Sequence, residues 1–135
     1  MGVTQMDIIN IAEKYKLDML VYFGSYLTEY YHNESDIDIA YLSSEILSSE
    51  QRLGLLEDLI KVHMKSEMDL VDLRTAEPVL RCEIALKGKL LYEKEEGLFD
   101  RYSLYYIKRF YELKPVIAEE MKAVRLSIKE VLDGD

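Results

Sequence analysis

The hydrophobic positions of this chain recur with two periodicities, one typical of strands and one typical of helices. Short apolar or alternating runs bounded by turn residues predict strands at residues 19–23, 36–42, 68–73 and 89–92. Apolar residues three and four apart predict helices at residues 4–17, 26–31, 48–65 and 78–87. Residues 32–35 read as a turn before the second strand. The alternation predicts an α+β (α/β-like) domain with a small mixed sheet flanked by helices, and the last strand at the sheet edge.

Two of the predicted helices carry recognisable start and stop signals. Ser48 or Ser49 is a good N-cap for one of them. The next helix has Pro78 in its first turn and stops at Gly88. The predicted buried face of the helix over residues 48–65 consists of Leu53, Leu56, Ile60 and either His63 or Met64.

The longest periodic segment is a C-terminal stripe of apolar residues from Phe99 to Val131. An unbroken helix of that extent is about 50 Å long, whereas a compact domain of this size is roughly 30–35 Å across. Pro115 favours a break or kink near that point. Otherwise the end of the helix overhangs the domain, and an overhanging apolar stripe needs a partner. The simpler alternative is that this segment folds back on its own domain. Tyr105 and Tyr111 lie off the stripe and suit a protein interface.

Length, charge and cysteine content narrow the class of protein. The chain has 135 residues, which favours a single domain, divided into an α/β core (1–93) and a helical segment (94–135). The net charge of −9 argues against general nucleic-acid binding. The single cysteine, Cys82, excludes a disulfide framework and is expected to be a buried apolar residue. His32 is expected in an exposed loop and His63 partly buried, neither with a zinc-site partner.

The sequence shows neither a targeting signal nor an apolar run long enough to span a membrane. The first residues lack the apolar region of a signal peptide, and the apolar runs are far shorter than the ~20 residues that cross a bilayer. We therefore expect a cytoplasmic protein that does not bind membranes.

The chemistry-bearing segment runs from Gly24-Ser25, through ten residues, to Asp36 and Asp38. On a strand, the i, i+2 spacing puts both carboxylates on one face, about 7 Å apart at their bases. Such carboxylates repel each other unless a cation lies between them, and Mg²⁺ prefers carboxylate and phosphate oxygens. A Gly-Ser turn between strand and helix suits phosphate binding. Together these features predict a site for a metal–nucleotide complex.

A third carboxylate on a neighbouring strand would complete such a site. Asp69 and Asp72 are the candidates. Being three apart on one strand, they point to opposite faces, so only one of them can join Asp36 and Asp38. Sequence spacing alone does not choose between them.

These residues resemble the minimal nucleotidyltransferase (MNT) family of the DNA polymerase β-like superfamily. The resemblance is carried by the motif from Gly24 to Asp38, the Asp69 strand and the segment PVLRCEIALKGKLLYE, and covers nearly the whole chain. It implies a nucleotidyltransferase fold with a long C-terminal helix. It also implies that Gly24, Ser25 and Ser35 bind the nucleotide, and that Asp36, Asp38 and Asp69 are catalytic and hold Mg²⁺, with Asp69 as general base.

Many members of the MNT family are antitoxins. The resemblance therefore implies a Mg²⁺-dependent protein adenylyltransferase that transfers AMP from ATP to a tyrosine hydroxyl of a HEPN-domain ribonuclease toxin. A hetero-oligomer with that toxin is expected, without direct nucleic-acid contact.

One departure from the family pattern leaves two alternatives. The family usually has an arginine soon after Gly-Ser, where this chain has Thr28, followed by Glu29. An arginine there would neutralise charge on the leaving pyrophosphate, and Arg74 and Arg81 are the nearest substitutes in sequence. The first alternative is an antitoxin that acts by binding, with a weakened nucleotide site. The second is a transferase for a small hydroxylated molecule such as an aminoglycoside.

Overall fold

The residues that the structure describes form four helices and four strands, in an order close to that predicted. The structure is a computed structural model that describes residues 3–24, 37–65 and 67–133. The helices are α1 (Gln5–Lys14), α2 (Ser49–His63), α3 (Pro78–Lys87) and α4 (Leu98–Asp133). The strands are β1 (Leu17–Phe23), β2 (Ile37–Ser43), β3 (Met68–Asp72) and β4 (Lys89–Glu93). The predicted helix at 26–31 and turn at 32–35 lie outside the described residues.

The strands form one mixed sheet in the order β3-β2-β1-β4. Strand β1 is antiparallel to both β2 and β4, whereas β2 and β3 are parallel. Strand β4 lies at an edge, as predicted. Helices α1 and α2 pack on one face of the sheet, around Leu20 and Ile39. Helices α3 and α4 pack on the other face, around Val21 and Ala40.

The helix ends follow from local capping. Thr4 precedes α1, and its hydroxyl accepts a hydrogen bond from the Asp7 amide at 3.2 Å. Ser48 caps α2 in a reciprocal capping box with Gln51. Helix α1 ends earlier than the predicted residue 17, because Lys16 has a φ of +53° and Leu17 already belongs to β1.

The predicted buried face of α2 is wrong in one respect. Leu55 and Leu59 are fully buried, whereas Leu53 is 56% exposed. Leu56 and Ile60 are half-buried against the core. Leucines occur on both sides of this helix, so spacing allowed either orientation, and contact with the sheet selected Leu55 and Leu59.

Helix α4 is continuous through Pro115, so the predicted break there is wrong. It does not fold back either: Ser103 and Tyr106 are its buried residues, and residues 118–133 are all exposed. Pro115 lacks one backbone hydrogen bond, and on an exposed helix water can satisfy the freed carbonyl. The overhang that the length arithmetic allowed is therefore what the structure shows. No helix among the described residues is both long and apolar enough to span a bilayer.

Candidate active site

The backbone of Gly24 lies against the Asp38 carboxylate in the candidate site. Phe23, the last residue of β1, pairs with Asp38 of β2, so Gly24 follows directly beside that aspartate. Gly24 has a φ of +79°, and a Cβ atom at this position would lie 2.1 Å from Asp38 Oδ2. Glycine is thus required twice, by its backbone conformation and by the approach of the carboxylate. The geometry ties the Gly-Ser turn to the acidic strand.

Asp69 lies next to Asp38 across the parallel β2–β3 pair. Neighbouring strands are about 4.8 Å apart, and paired residues of parallel strands point to the same face. Asp38 is half-buried and Asp69 is exposed, so one carboxylate lies against the fold and the other at its surface. Both lie on the face covered by α3 and α4, since Ala40 and Val71, two residues further along, belong to the core of that face.

Asp72 is excluded from this pair by the register. It pairs with Tyr41, whose ring belongs to the core on the opposite face. Its Oδ1 accepts a hydrogen bond from the Arg74 amide at 2.8 Å, which closes the turn after β3. Burial raises the pKa of the Tyr41 hydroxyl, and the nearby Asp72 carboxylate raises it further. Asp72 therefore contributes to the turn after β3 and lies away from Asp38.

The other predicted site residues, Ser25, Ser35 and Asp36, lie outside the described residues, and their roles stay predictions. Within the described ranges, no group of three or more His, Cys, Asp or Glu side chains has a metal-binding arrangement. Asp38 and Asp69 supply two carboxylates, which are the hard oxygen donors that Mg²⁺ takes. A third donor would have to come from Asp36, two residues before Asp38. The donor chemistry thus fits magnesium.

Arg74 and Arg81 do not reach this site, contrary to their candidacy as substitutes for the missing arginine. Arg74 donates to the Ser43 carbonyl at 2.5 Å, at the far end of β2. Arg81 donates to the Leu73 carbonyl at 2.7 Å, and its guanidinium lies 5.5 Å from the Tyr106 ring centroid. Both arginines therefore secure the opposite end of the sheet. Nearness in sequence misled here because β3 carries the chain away from Asp69.

Two lysines do lie at the site's end of the sheet, and sequence reasoning missed them. Lys89 pairs with Tyr22, two residues before Gly24, and shares with Tyr22 the face covered by α1 and α2, opposite the Asp38 carboxylate. Lys87 is the last residue of α3, and Gly88 beyond it packs against Val21 of β1. Both side chains are exposed. The available signal was a pair of lysines flanking the glycine that ends a helix.

A partly buried hydrogen bond joins α2 to the strand that leads to Gly24. His63 Nδ1 donates a hydrogen bond to the Leu59 carbonyl at 2.8 Å. This leaves Nε2 to accept a hydrogen bond from the Tyr22 hydroxyl at 2.6 Å. Burial lowers the pKa of His63 below its usual value, and the Leu59 hydrogen bond opposes this only in part. His63 is thus a partly buried structural residue, as predicted, and Cys82 is a buried free thiol, also as predicted.

Comparisons with known proteins agree with the fold described above. The family model described as "Polymerase beta, Nucleotidyltransferase" matches residues 6–97. A protein named protein adenylyltransferase MntA, from Shewanella oneidensis, is 38% identical to this chain over 86 residues, which are 62% of this chain. The matched segment spans 61% of that relative's own length, less than two thirds of it.

Solved structures match over more of the chain. A toxin–antitoxin structure with AMP-PNP is 30% identical, with a TM-score of 0.68, over 87% of this chain and 98% of the matched chain. A structure of a tri-AMPylated Shewanella oneidensis HEPN toxin in complex with an MNT antitoxin is 28% identical, with a TM-score of 0.63, over 87% and 95%. The four-stranded mixed sheet and the long last helix thus match solved relatives.

Proposed function

Because this chain belongs to the polymerase β nucleotidyltransferase family, we propose that it is an antitoxin that transfers AMP from ATP to a tyrosine hydroxyl of a HEPN-type ribonuclease toxin. The observation that carries this proposal is the close approach of Gly24 to the Asp38 carboxylate, with Asp69 on the adjacent strand. The relative's name, protein adenylyltransferase, and the AMPylated toxin in a solved relative's complex support the acceptor class.

The proposed reaction is an in-line displacement at the α-phosphorus of ATP. The tyrosine oxygen forms a new bond to that phosphorus while the bond to the β-phosphate oxygen breaks, and pyrophosphate leaves. The Asp69 carboxylate accepts the tyrosine proton, while Gly24, Ser25 and Ser35 hold the triphosphate. Asp36, Asp38 and Asp69 would hold Mg²⁺, which neutralises phosphate charge when bound. Catalysis then consists mainly of positioning and charge compensation.

The test is intact mass spectrometry of a purified HEPN partner after incubation with this protein, Mg²⁺ and ATP. We expect a mass gain of one or more AMP units. The double variant Asp36→Asn with Asp38→Asn should abolish the gain and remain folded. Asp72→Asn is the matched control, because its side chain keeps the oxygen that accepts from Arg74 on the other face. Full labelling by the double variant would refute the site.

A second candidate function has its own observation in favour. The overhanging part of α4 exposes Met121, Val124, Ile128 and Val131, each at least half accessible to solvent. An exposed apolar stripe of this kind suits a protein partner. The alternative is an antitoxin that neutralises its partner by binding alone. It predicts full neutralisation of the toxin by the aspartate double variant. Lost neutralisation with an intact complex would reject it.

A further inference from the structure

We propose that the overhanging part of α4 pairs with the same segment of a second copy of this chain, in antiparallel orientation. The overhang consists of residues 114–133, which are exposed apart from Ile117. Its apolar stripe follows alternating steps of four and three residues: Ile117, Met121, Val124, Ile128 and Val131. The mean spacing is 3.5 residues, the repeat of helices that pack along each other in coiled coils. The stripe therefore has the pattern of a helix that pairs with another helix.

The stripe is open to solvent in the single chain. Met121, Val124 and Ile128 are 50%, 52% and 54% exposed, and Val131 is 79% exposed. Isolated apolar residues are ordinary on protein surfaces, whereas a continuous row of them marks an interaction surface. Two such helices packed side by side bury on the order of 1,000 Å², the lower limit of a specific interface. We therefore expect a dimer that depends on protein concentration.

The position of the stripe around α4 decides the orientation of the second copy. At about 100° per residue, the stripe lies on the same side of the helix as Ser103 and Tyr106, which are buried in the core. In a parallel pair, the first part of each α4 would have to occupy the space of the other copy's core. In an antiparallel pair, each core lies beyond the free end of the other helix. Only the antiparallel orientation leaves room for both domains.

The spacing also makes the stripe self-complementary in this orientation. When Met121 of one copy faces Val124 of the other, Ile117 faces Ile128. Each of these pairs occurs twice, because the arrangement has twofold symmetry. The contact then has four consecutive apolar layers. At each end, Val131 lies level with Lys114 of the other copy, whose methylene stem can cover it.

The charge distribution favours contact between copies at this segment. The chain has a net charge of −9, so two copies repel each other over much of their surface. Residues 114–135 hold four basic and five acidic residues, so this segment carries only −1 of that charge. The stripe itself contains no charged residue. Two acidic molecules therefore meet at this segment with little repulsion.

The first test compares Val124→Glu with Leu126→Glu by analytical ultracentrifugation of the purified chain over a wide range of concentrations. Leu126 is the matched control, because it is 53% exposed and lies on the opposite side of the same helix. We expect Val124→Glu to raise the dimer dissociation constant at least tenfold and Leu126→Glu to keep it within twofold of the wild type. A monomeric wild type, or equal dimerisation by both variants, would overturn the proposal.

The second test determines the orientation by disulfide formation. Ile117→Cys and Ile128→Cys are purified separately, mixed and oxidised, with the wild type and its buried Cys82 as background. The antiparallel pair brings positions 117 and 128 within the roughly 4–7 Å between Cα atoms that a disulfide spans. Identical positions then lie eleven residues apart along the helices, or about 16 Å. We expect a mixed dimer, whereas efficient crosslinking of either variant alone would contradict the antiparallel arrangement.

Binding of another protein to the same stripe is the competing outcome. Titration with the HEPN partner distinguishes it, because the same two glutamate variants are compared. A wild type that is monomeric at every concentration, with partner binding weakened tenfold only by Val124→Glu, would assign the stripe to that partner and overturn the self-association. The ultracentrifugation and crosslinking need neither ATP nor the aspartates, so their results are independent of the proposed function.

Discussion

At the scale of single residues, two glycines share a backbone conformation and differ in what surrounds them. Gly24 has a φ of +79° and Gly97 a φ of +86°. A Cβ at position 24 would collide with Asp38 Oδ2, whereas a Cβ at position 97 would meet nothing within 4 Å. Any L-residue at either position carries a strain of about 1–2 kcal/mol. Only at position 24 does the added carbon also displace a site carboxylate.

The pair therefore provides a controlled experiment. We expect Gly24→Ala to lower AMP transfer by at least about tenfold, because a shift of about 1 Å at reacting groups is enough for losses of this order. Both variants should lower the melting temperature by a few degrees, because both carry the same backbone strain. Gly97→Ala should leave the rate of transfer unchanged. Mass-spectrometric labelling rates and thermal melts of the two variants measure this. Equal rates in both variants would show that the Asp38 contact has no part in the reaction.

At the scale of secondary-structure elements, the junction of α2 and β1 depends on His63. The hydrogen bond from the Tyr22 hydroxyl to Nε2 links the last turn of the helix to the strand that leads to Gly24. Burial holds the pKa of His63 below the value of 6.5 that applies in an unfolded chain. The unfolded state therefore takes up a proton at a pH where the folded state does not. The free energy of unfolding therefore falls as the pH drops below 6.5 toward the lowered pKa of His63 in the folded state.

This linkage predicts a pH dependence that one substitution removes. The free energy of unfolding should decrease between about pH 7 and pH 5, the range in which an ordinary histidine becomes protonated. His63→Gln should make that part of the curve shallower. Tyr22→Phe keeps His63 buried and should retain the slope. Urea titrations at several pH values measure the three curves. Parallel curves for the wild type and His63→Gln would contradict the assignment.

At the scale of the whole molecule, the first part of α4 packs on the sheet and its last part is exposed to solvent. Its first turns pack on the sheet through Ser103 and Tyr106, and Arg81 of α3 lies against the Tyr106 ring. Burial raises the pKa of the Tyr106 hydroxyl to about 12, so this side chain stays neutral in the core. The last 20 residues, 114–133, extend about 30 Å at the helical rise and are exposed apart from Ile117.

Deletion of residues 114–135 should therefore leave the core intact. We expect the melting temperature to change by less than about 4 °C, since removal of exposed surface is worth well under 1 kcal/mol. Tyr106→Ala, which empties a buried aromatic site, should cost about 3–5 kcal/mol. Circular dichroism melts compare the two. A large loss of stability on truncation would mean that the overhang packs on the core in solution.

Much of the fold was predictable because it is encoded locally. Periodicity gave the four strands and the capped helices, and Ser48 and Pro78 lie at the predicted helix starts. The motif that carries the site, Gly24 to Asp38, is also local, since a fixed spacing on one strand sets which side chains share a face. The roles of Ser25 and Ser35 stay predictions, and so does that of Asp36, which the aspartate double variant tests.

Other features depended on contacts between segments distant in sequence. Spacing left Asp69 and Asp72 equivalent, and only the pairing of β3 with β2 put Asp69 beside Asp38. Leu53 and Leu55 were equally apolar, and only the sheet buried one of them. Arg74 and Arg81 follow Asp69 closely in the chain, yet the strand carries them to the other end of the sheet. The sequence by itself determined the elements and the acidic motif, because short-range periodicity fixes them. The tertiary structure decided register, buried face and overhang, because each depends on long-range packing.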